Sequence, residues 1–310
     1  MARAATGPSQ STAGTPDVLS NLADFGRHLR AGNRSPATIK SYAEAVRQLD
    51  AFLEAKGMPR SVAAIRREHV ESFLEDQLAR LRPASAAARY RSLQQFFRWL
   101  VGEGEIAESP MARMRPPAIP EAPPAVLRRE HIEALLKATA GTDFESRRDR
   151  AIVSLLLDSG MRRAELAGIR LEDLDMERED VIVMGKGRRP RVCPFEAETA
   201  RDLSRYLKAR AKRPDARSPW LWLGKKGRLT EDGIAQVLKR RGQEAGLEGR
   251  LHPHLFRHTF AHQMLSSGMQ EGDLMRLAGW RSRQMLARYG ASAADERARD
   301  AFRRIKAAQR

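Results

Sequence analysis

Six prolines fall between residues 110 and 124 (Pro110, Pro116, Pro117, Pro120, Pro123 and Pro124), and they limit what this chain can fold into. Each ring fixes φ at about −65° and removes a backbone donor, so the segment resists helix and sheet and favours extended backbone. We therefore expect a proline-rich linker at 109–125, joining a first domain at 17–108 to a second at 126–310. A strap of this kind lets two modules close around a rod-like ligand. Residues 1–16 hold almost no large apolar side chain and cannot bury enough surface to fold, so a disordered tail is expected there.

From Asp17 onward the apolar period is helical. Val18, Leu22, Phe25 and Leu29 recur at three- and four-residue steps as far as Gly32-Asn33. Ser35-Pro36 reads as an N-cap with proline at the first helical position, opening a helix with Tyr42, Val46, Leu49 and Leu53 on one face. A third helix carries Val70, Leu74, Leu78 and Leu81. A fourth opens near Ser85, shows Leu93, Phe96, Phe97 and Leu100, and stops at Gly102. Lys40, Arg89 and Arg91 are this domain's candidate contacts to a nucleic-acid backbone.

The second domain opens with Ile132, Leu135 and Leu136 on one helix, followed by a buried helix through Ile152, Val153, Leu155, Leu156 and Leu157. Gly160 breaks that helix and delivers Arg162 at the end of the most apolar stretch, where Glu165, three residues on, can hold it. The strand-like runs Val181–Met184 and Arg191–Cys193 flank a hairpin with Lys186 at its glycine-flanked tip. Thr230, with Glu231 and Asp232 behind it, opens a further helix. The expected fold is mainly α with a small antiparallel β-sheet.

Lys and Arg number 56 against 39 Asp and Glu, a formal charge of +17 spread through short clusters. These include Arg147-Arg148 with Arg150, Lys186 with Arg188, Arg189 and Arg191, and Lys239-Arg240-Arg241. Charge so distributed suggests a folded surface facing DNA or RNA, with Arg188 and Lys239 among the candidate contacts. Cys193 is the single cysteine, which excludes an internal disulfide framework and fits a reducing compartment. In its apolar run it reads as a buried small hydrophobe. Neither a signal-peptide core nor a membrane-length apolar run is present, so a cytoplasmic, nucleoid-associated protein is expected, with no membrane partner.

The chemistry concentrates in Leu251–His262. His254 and Arg257 share one helical face, and the pair suits a phosphate: a planar guanidinium grips two oxygens while an imidazole donates or moves a proton near neutral pH. His254, His258 and His262 also stand at four-residue steps that could hold a metal, but no Glu follows the first His and Arg257 would repel a cation. His258 and His262 are expected to pack inward beside Leu255, Phe256 and Phe260. Neither a metal nor a cofactor is expected.

These residues also carry a resemblance. Gly160-Met-Arg162-Arg-Ala-Glu165-Leu, Gly185-Lys186-Gly, His254-Leu-Phe-Arg257-His258 and a terminal Tyr289 resemble, in order and separation, the catalytic boxes of the tyrosine recombinases (phage integrases, Xer and Cre-like proteins). Ser35-Pro-Ala-Thr38 and Arg89–Phe97 resemble that family's helical core-binding, SAM-like domain, so the likeness runs over residues 18–295. It implies that Tyr289 attacks a DNA phosphate to form a 3′-phosphotyrosyl link and free a 5′-hydroxyl. Arg162 and Arg257 bind the non-bridging oxygens, Lys186 protonates the leaving 5′-oxygen, and His254 serves proton transfer, with Glu165 and His258 in support. Trp280 stands where many relatives carry histidine; its indole is a donor only, so it hydrogen-bonds a phosphate or buttresses the site by packing. Tyr42, Tyr90 and Tyr206 read as core residues.

The implied substrate is a pair of short duplex DNA sites held by a homotetramer, with accessory proteins or a partner recombinase as further candidates. The implied role is integration or excision of a phage or mobile element. Chromosome-dimer resolution of the Xer type, a relaxing topoisomerase and a catalytically silent DNA-binding regulator are the alternatives. No room precedes Asp17 for an arm-DNA-binding domain, so a two-domain recombinase is expected. Ala298, Ala301, Phe302 and Ile305 form a narrow apolar stripe on a charged helix, which needs a groove on its own domain or on a neighbouring protomer.

Overall fold

The computed structural model describes residues 17–120, 125–185, 189–247 and 251–280, together with 282, 283, 286, 298, 299, 302, 303, 305–307 and 309. The expected tail at 1–16 lies outside the described residues, as do Lys186, Arg188 and Tyr289. The chain divides into two compact units, 1–121 and 122–310.

The first unit consists of α1 (Leu22–Ala31), α2 (Pro36–Ala55), α3 (Arg67–Arg80) and α4 (Pro83–Gly102). Ser35 caps α2 by accepting from Thr38 N at 3.2 Å, with Pro36 supplying a pre-set φ at the first position. Val46, Leu49 and Leu53 of α2 share one core with Leu93, Phe96, Phe97 and Leu100 of α4. Phe25 stands edge-on to Phe96 at 5.3 Å between ring centres.

Several boundaries differ from the periodicity. The first helix starts at Leu22 because Val18 N donates to Arg60 O at 3.0 Å and Asp17 accepts from Ser20 N at 2.7 Å, which fixes a turn instead. In α3 the buried face is Val70, Phe73, Leu74 and Gln77, while Leu78 is exposed; the large ring of Phe73 sets the rotation. Helix α4 opens two residues before Ser85, on a proline at its first position. The start of the proline-rich stretch belongs to the first unit: Met111 is buried in its core, and the Tyr90 hydroxyl donates to Met114 O at 2.7 Å. Backbone that can form neither helix nor sheet still buries its interspersed methionines.

In the second unit, α5 (Arg129–Ala138), α6 (Phe144–Ser159) and α7 (Arg163–Ala167) lead into strands β1 (Leu174–Asp175), β2 (Asp180–Gly185) and β3 (Arg189–Pro194). These form one antiparallel sheet in the order β1-β2-β3, with Val181 opposite Cys193 and Val183 opposite Arg191. There follow α8 (Ala197–Arg210), the short hairpin of β4 (Leu223–Gly224) and β5 (Gly227–Arg228), α9 (Glu231–Glu244), α10 (Pro253–Ser266) and α11 (Glu271–Ala278). Mainly helical with small antiparallel sheets, this is the expected fold class. Helix α6 is buried through Ile152, Val153, Leu155 and Leu156. The unexpected α8 packs against it, its Leu203 and Tyr206 hidden from the apolar pattern by buried Asp202 and Arg210 on the same helix.

Part of the positive charge read as surface is internal. Asp149, fully buried, accepts from Arg148, Arg240 and Arg241, and Asp202 accepts from Arg150. Of the run 239–241, only Lys239 is exposed. A buried carboxylate shared among guanidiniums satisfies charges that water would otherwise have to solvate. Among the described residues no helix is long and apolar enough to cross a membrane.

Candidate active site

Gly160 ends α6 in the left-handed region at φ 52°, and a Cβ there would stand 2.6 Å from Cδ1 of Phe260. Only glycine meets both demands, and it lets the end of α6 rest against α10. The turn presents Arg162 at the start of α7. Glu165 grips it twice, accepting from Arg162 N at 2.8 Å on one oxygen and from Nη1 at 2.6 Å on the other. Burial alone would raise the Glu165 carboxyl, but the charge of Arg191 and the donors of Arg162 hold it below its usual value.

Helix α10 is opened by His252, whose Nδ1 accepts from Leu255 N at 3.2 Å, and by Pro253 at its first position. It buries two faces: Leu255 and Phe256 join the main core, while Phe260, Ala261 and Leu265 form a second core with Leu274, Ala278 and Trp280. Arg257 lies between those faces and is 2% exposed. Its Nη1 donates to Gly160 O at 2.8 Å and its Nη2 to Ala278 O, and its Cζ stands 5.3 Å from the centre of the Trp280 ring.

The C-terminus of α11 ties the arginines together. Three successive carbonyls each accept from a different guanidinium: Leu277 from Arg191, Ala278 from Arg257, and Gly279 from Arg162 at 3.5 Å. Terminal helix carbonyls lack intrahelical partners and carry the negative end of the dipole, so they are natural acceptors for cations. Gly279, at φ 64°, turns the chain out of the helix and puts Trp280 beside Arg257.

His254, on the first turn of α10, keeps a solvent-facing edge. Its imidazole is pushed below the ordinary value, first by partial burial and then by the charges of His252, Arg257, Arg162 and Arg163. The structure thus brings together Arg162, Glu165, Arg257 and Trp280, with His254 in the field of both arginines. His258 and His262 are half-buried rather than core, because α10 turns Leu255, Phe256 and Phe260 fully inward instead. Burial pushes the Cys193 thiol up to about 11. In the first unit Lys40 and Arg91 are exposed, whereas Arg89 donates to Gln48 and so links α4 to α2.

The sequence places Arg191 in a basic cluster and at the start of a strand-like run, but gives it no role in the site. Strand period two was the available signal: Cys193 points inward, so Arg191, two residues earlier, faces the same side. The backbone acceptors at Gly160 and at the end of α11 had no signal in residue type. Among the described residues, no three His, Cys, Asp or Glu side chains are grouped so as to hold a metal ion.

The pattern of the phage integrase family matches residues 125–296, and that of the phage integrase N-terminal SAM-like domain matches residues 22–104. The tyrosine recombinase XerC of Myxococcus xanthus is 30% identical over 275 residues, covering 86% of this chain and 91% of that protein. The XerC of Chromobacterium violaceum is 32% identical over 251 residues, covering 81% of each. Among solved structures, the Tn1549 transposon integrase in complex with transposon right-end DNA shares the fold at a TM-score of 0.75, with 20% identity over 94% of this chain and all of that one (100%).

Proposed function

The chain belongs to the phage integrase family of tyrosine recombinases, and from that premise we propose that it cleaves and rejoins DNA at specific sites through a covalent 3′-phosphotyrosyl link to Tyr289. The observation that carries the reading is the joint anchoring of Arg162 and Arg257 on the end of α11, beside an imidazole that partial burial and neighbouring charges push below its ordinary value. Donors fixed before the reaction stabilise charge as it develops on the non-bridging oxygens, without reorganising at the moment of reaction. Two guanidiniums thereby serve where other phosphoryl-transfer sites use a metal ion.

The Tyr289 oxygen bonds to phosphorus as the bond from phosphorus to the 5′-oxygen breaks. His254 takes the phenolic proton and Lys186 gives one to the departing oxygen. Rejoining runs the same steps backwards with a 5′-hydroxyl as nucleophile, so the phosphodiester energy is conserved and no ATP is consumed. The assignment of Tyr289 is supported by the settings of the other three tyrosines. Tyr90 and Tyr206 are buried with their hydroxyls bonded to backbone, and Tyr42 stacks on Phe25.

The substrate is a pair of duplex sites held by four protomers. Phe302 and Ile305, exposed on the basic C-terminal segment, match a groove in the second unit whose apolar wall includes Leu157, Phe195, Met264 and Leu277 and whose rim carries Asp158 and Glu196. A neighbouring protomer's segment fills that groove. Integration or excision of a mobile element is the first reading of the role; the likeness to XerC proteins supports chromosome-dimer resolution as the second.

A nicked suicide substrate in excess EDTA tests the chemistry. The wild-type protein should become covalently attached to DNA, while Tyr289→Phe should bind with an unchanged Kd and form no adduct. Adduct with the phenylalanine variant refutes the nucleophile; a wild-type reaction that needs added metal refutes the metal-free mechanism.

A further inference from the structure

Arg191 reaches the site from β3, its side chain 10% exposed. Its Nη2 donates to Glu165 Oε2 at 2.7 Å, and its Nη1 serves both Cys193 Sγ at 2.7 Å and the Leu277 carbonyl. With both terminal nitrogens on protein acceptors, it is poorly placed to grip a phosphate itself. We propose that Arg191 is a positioning residue that keeps the phosphate site cationic, by sharing the charge of Glu165 with Arg162 and docking the end of α11 on the two phosphate-binding arginines. This role rests on the recombinase reading above and names a device within that site.

The argument is one of charge and space. Arg162 and Arg191 converge on one carboxylate, Glu165, whose side chain is 3% exposed, while Arg257 is held by the carbonyls of Gly160 and Ala278. Shared between Arg162 and Arg191, that carboxylate offsets only part of the charge of each guanidinium. Without Arg191, the whole carboxylate charge falls to Arg162, whose backbone N and Nη1 already hold its two oxygens, and it offsets the guanidinium charge that a phosphate needs. The space is provided by Gly279. A Cβ there would lie 3.0 Å from Arg191 Cδ and 3.2 Å from its Nε. Glycine at this position therefore makes the left-handed exit from α11 and also clears a path for the arginine stem.

The test measures single-turnover adduct formation at saturating nicked DNA, with the Kd for DNA measured separately. Arg191→Met should react about 100-fold more slowly, the scale for losing one preorganised electrostatic contact, with Kd within about threefold of wild type. Arg191→Lys, which keeps the charge but not the fork, should recover to within about tenfold. The deciding variant is Arg191→Met with Glu165→Gln: an amide cannot neutralise Arg162, so the double variant should react at least about tenfold faster than Arg191→Met alone. A purely structural role predicts no such recovery. Arg191→Met at the wild-type rate, or a double variant no faster than the single, overturns the role while leaving wild-type adduct intact. Absence of adduct with the wild type overturns the recombinase reading and this role with it.

Discussion

His254 shows how the surroundings of a single side chain set its chemistry. Partial burial and then the charges of His252, Arg257, Arg162 and Arg163 push its imidazole below the ordinary 6.5, which favours the neutral form that the proposed role as base for Tyr289 requires. A lowered value means that half-protonation, and loss of half the base, falls below pH 6.5. Adduct formation should therefore stay flat from pH 7.5 to 6.5, within about twofold, and fall in more acidic solution. His254→Gln should lower the plateau about 100-fold and abolish the acidic limb, which a pH series of single-turnover rates reads directly. A limb unchanged in the glutamine variant would assign the titration to another group.

At the scale of elements, the site depends on how α6, α10 and α11 meet. Gly160 is the joint. Alanine there combines a left-handed backbone, costing about 1–2 kcal/mol, with a Cβ driven into Phe260, an overpacking of about 1–3 kcal/mol. At roughly 2–4 °C per kcal/mol for a unit of this size, Gly160→Ala should lower Tm by about 4–20 °C in calorimetry. Because Gly160 O also receives Arg257, adduct formation at a temperature where the variant is fully folded should fall as well. A variant with wild-type Tm would mean that the α6–α10 joint yields more easily than its geometry indicates.

For the whole molecule, the proposed tetramer requires an element that couples one protomer to the next. Phe302 and Ile305 are 63% and 58% exposed, an apolar pair on an otherwise charged segment, and the acidic-rimmed groove complements the Arg299, Arg303 and Lys306 charges. Deleting the residues after Ala294 should leave single-site DNA binding within about twofold while reducing two-site complexes and strand exchange by about tenfold or more. Sedimentation on two-site DNA decides it: undiminished tetramers would make the segment a local element of its own protomer.

Much of this protein could be read without coordinates because the deciding interactions are short in sequence. The Ser35 cap, the turn at Gly160, the Arg162–Glu165 pair and the β2–β3 hairpin each span a few residues, so residue type and spacing determine them. The face of α3, the extra helix α8 and the inward turn of Arg148 and Arg241 were beyond that reach. Their outcome depends on partners far along the chain, such as Asp149 for Arg241. The same limit explains Arg191 and the carbonyls of α11: a backbone acceptor has no signature in residue type, and a guanidinium becomes a positioning group only when folding brings Leu277 and Glu165 to it. Local chemistry is written in the sequence, whereas the sharing of one buried carboxylate among arginines from separate elements exists only once those elements have packed.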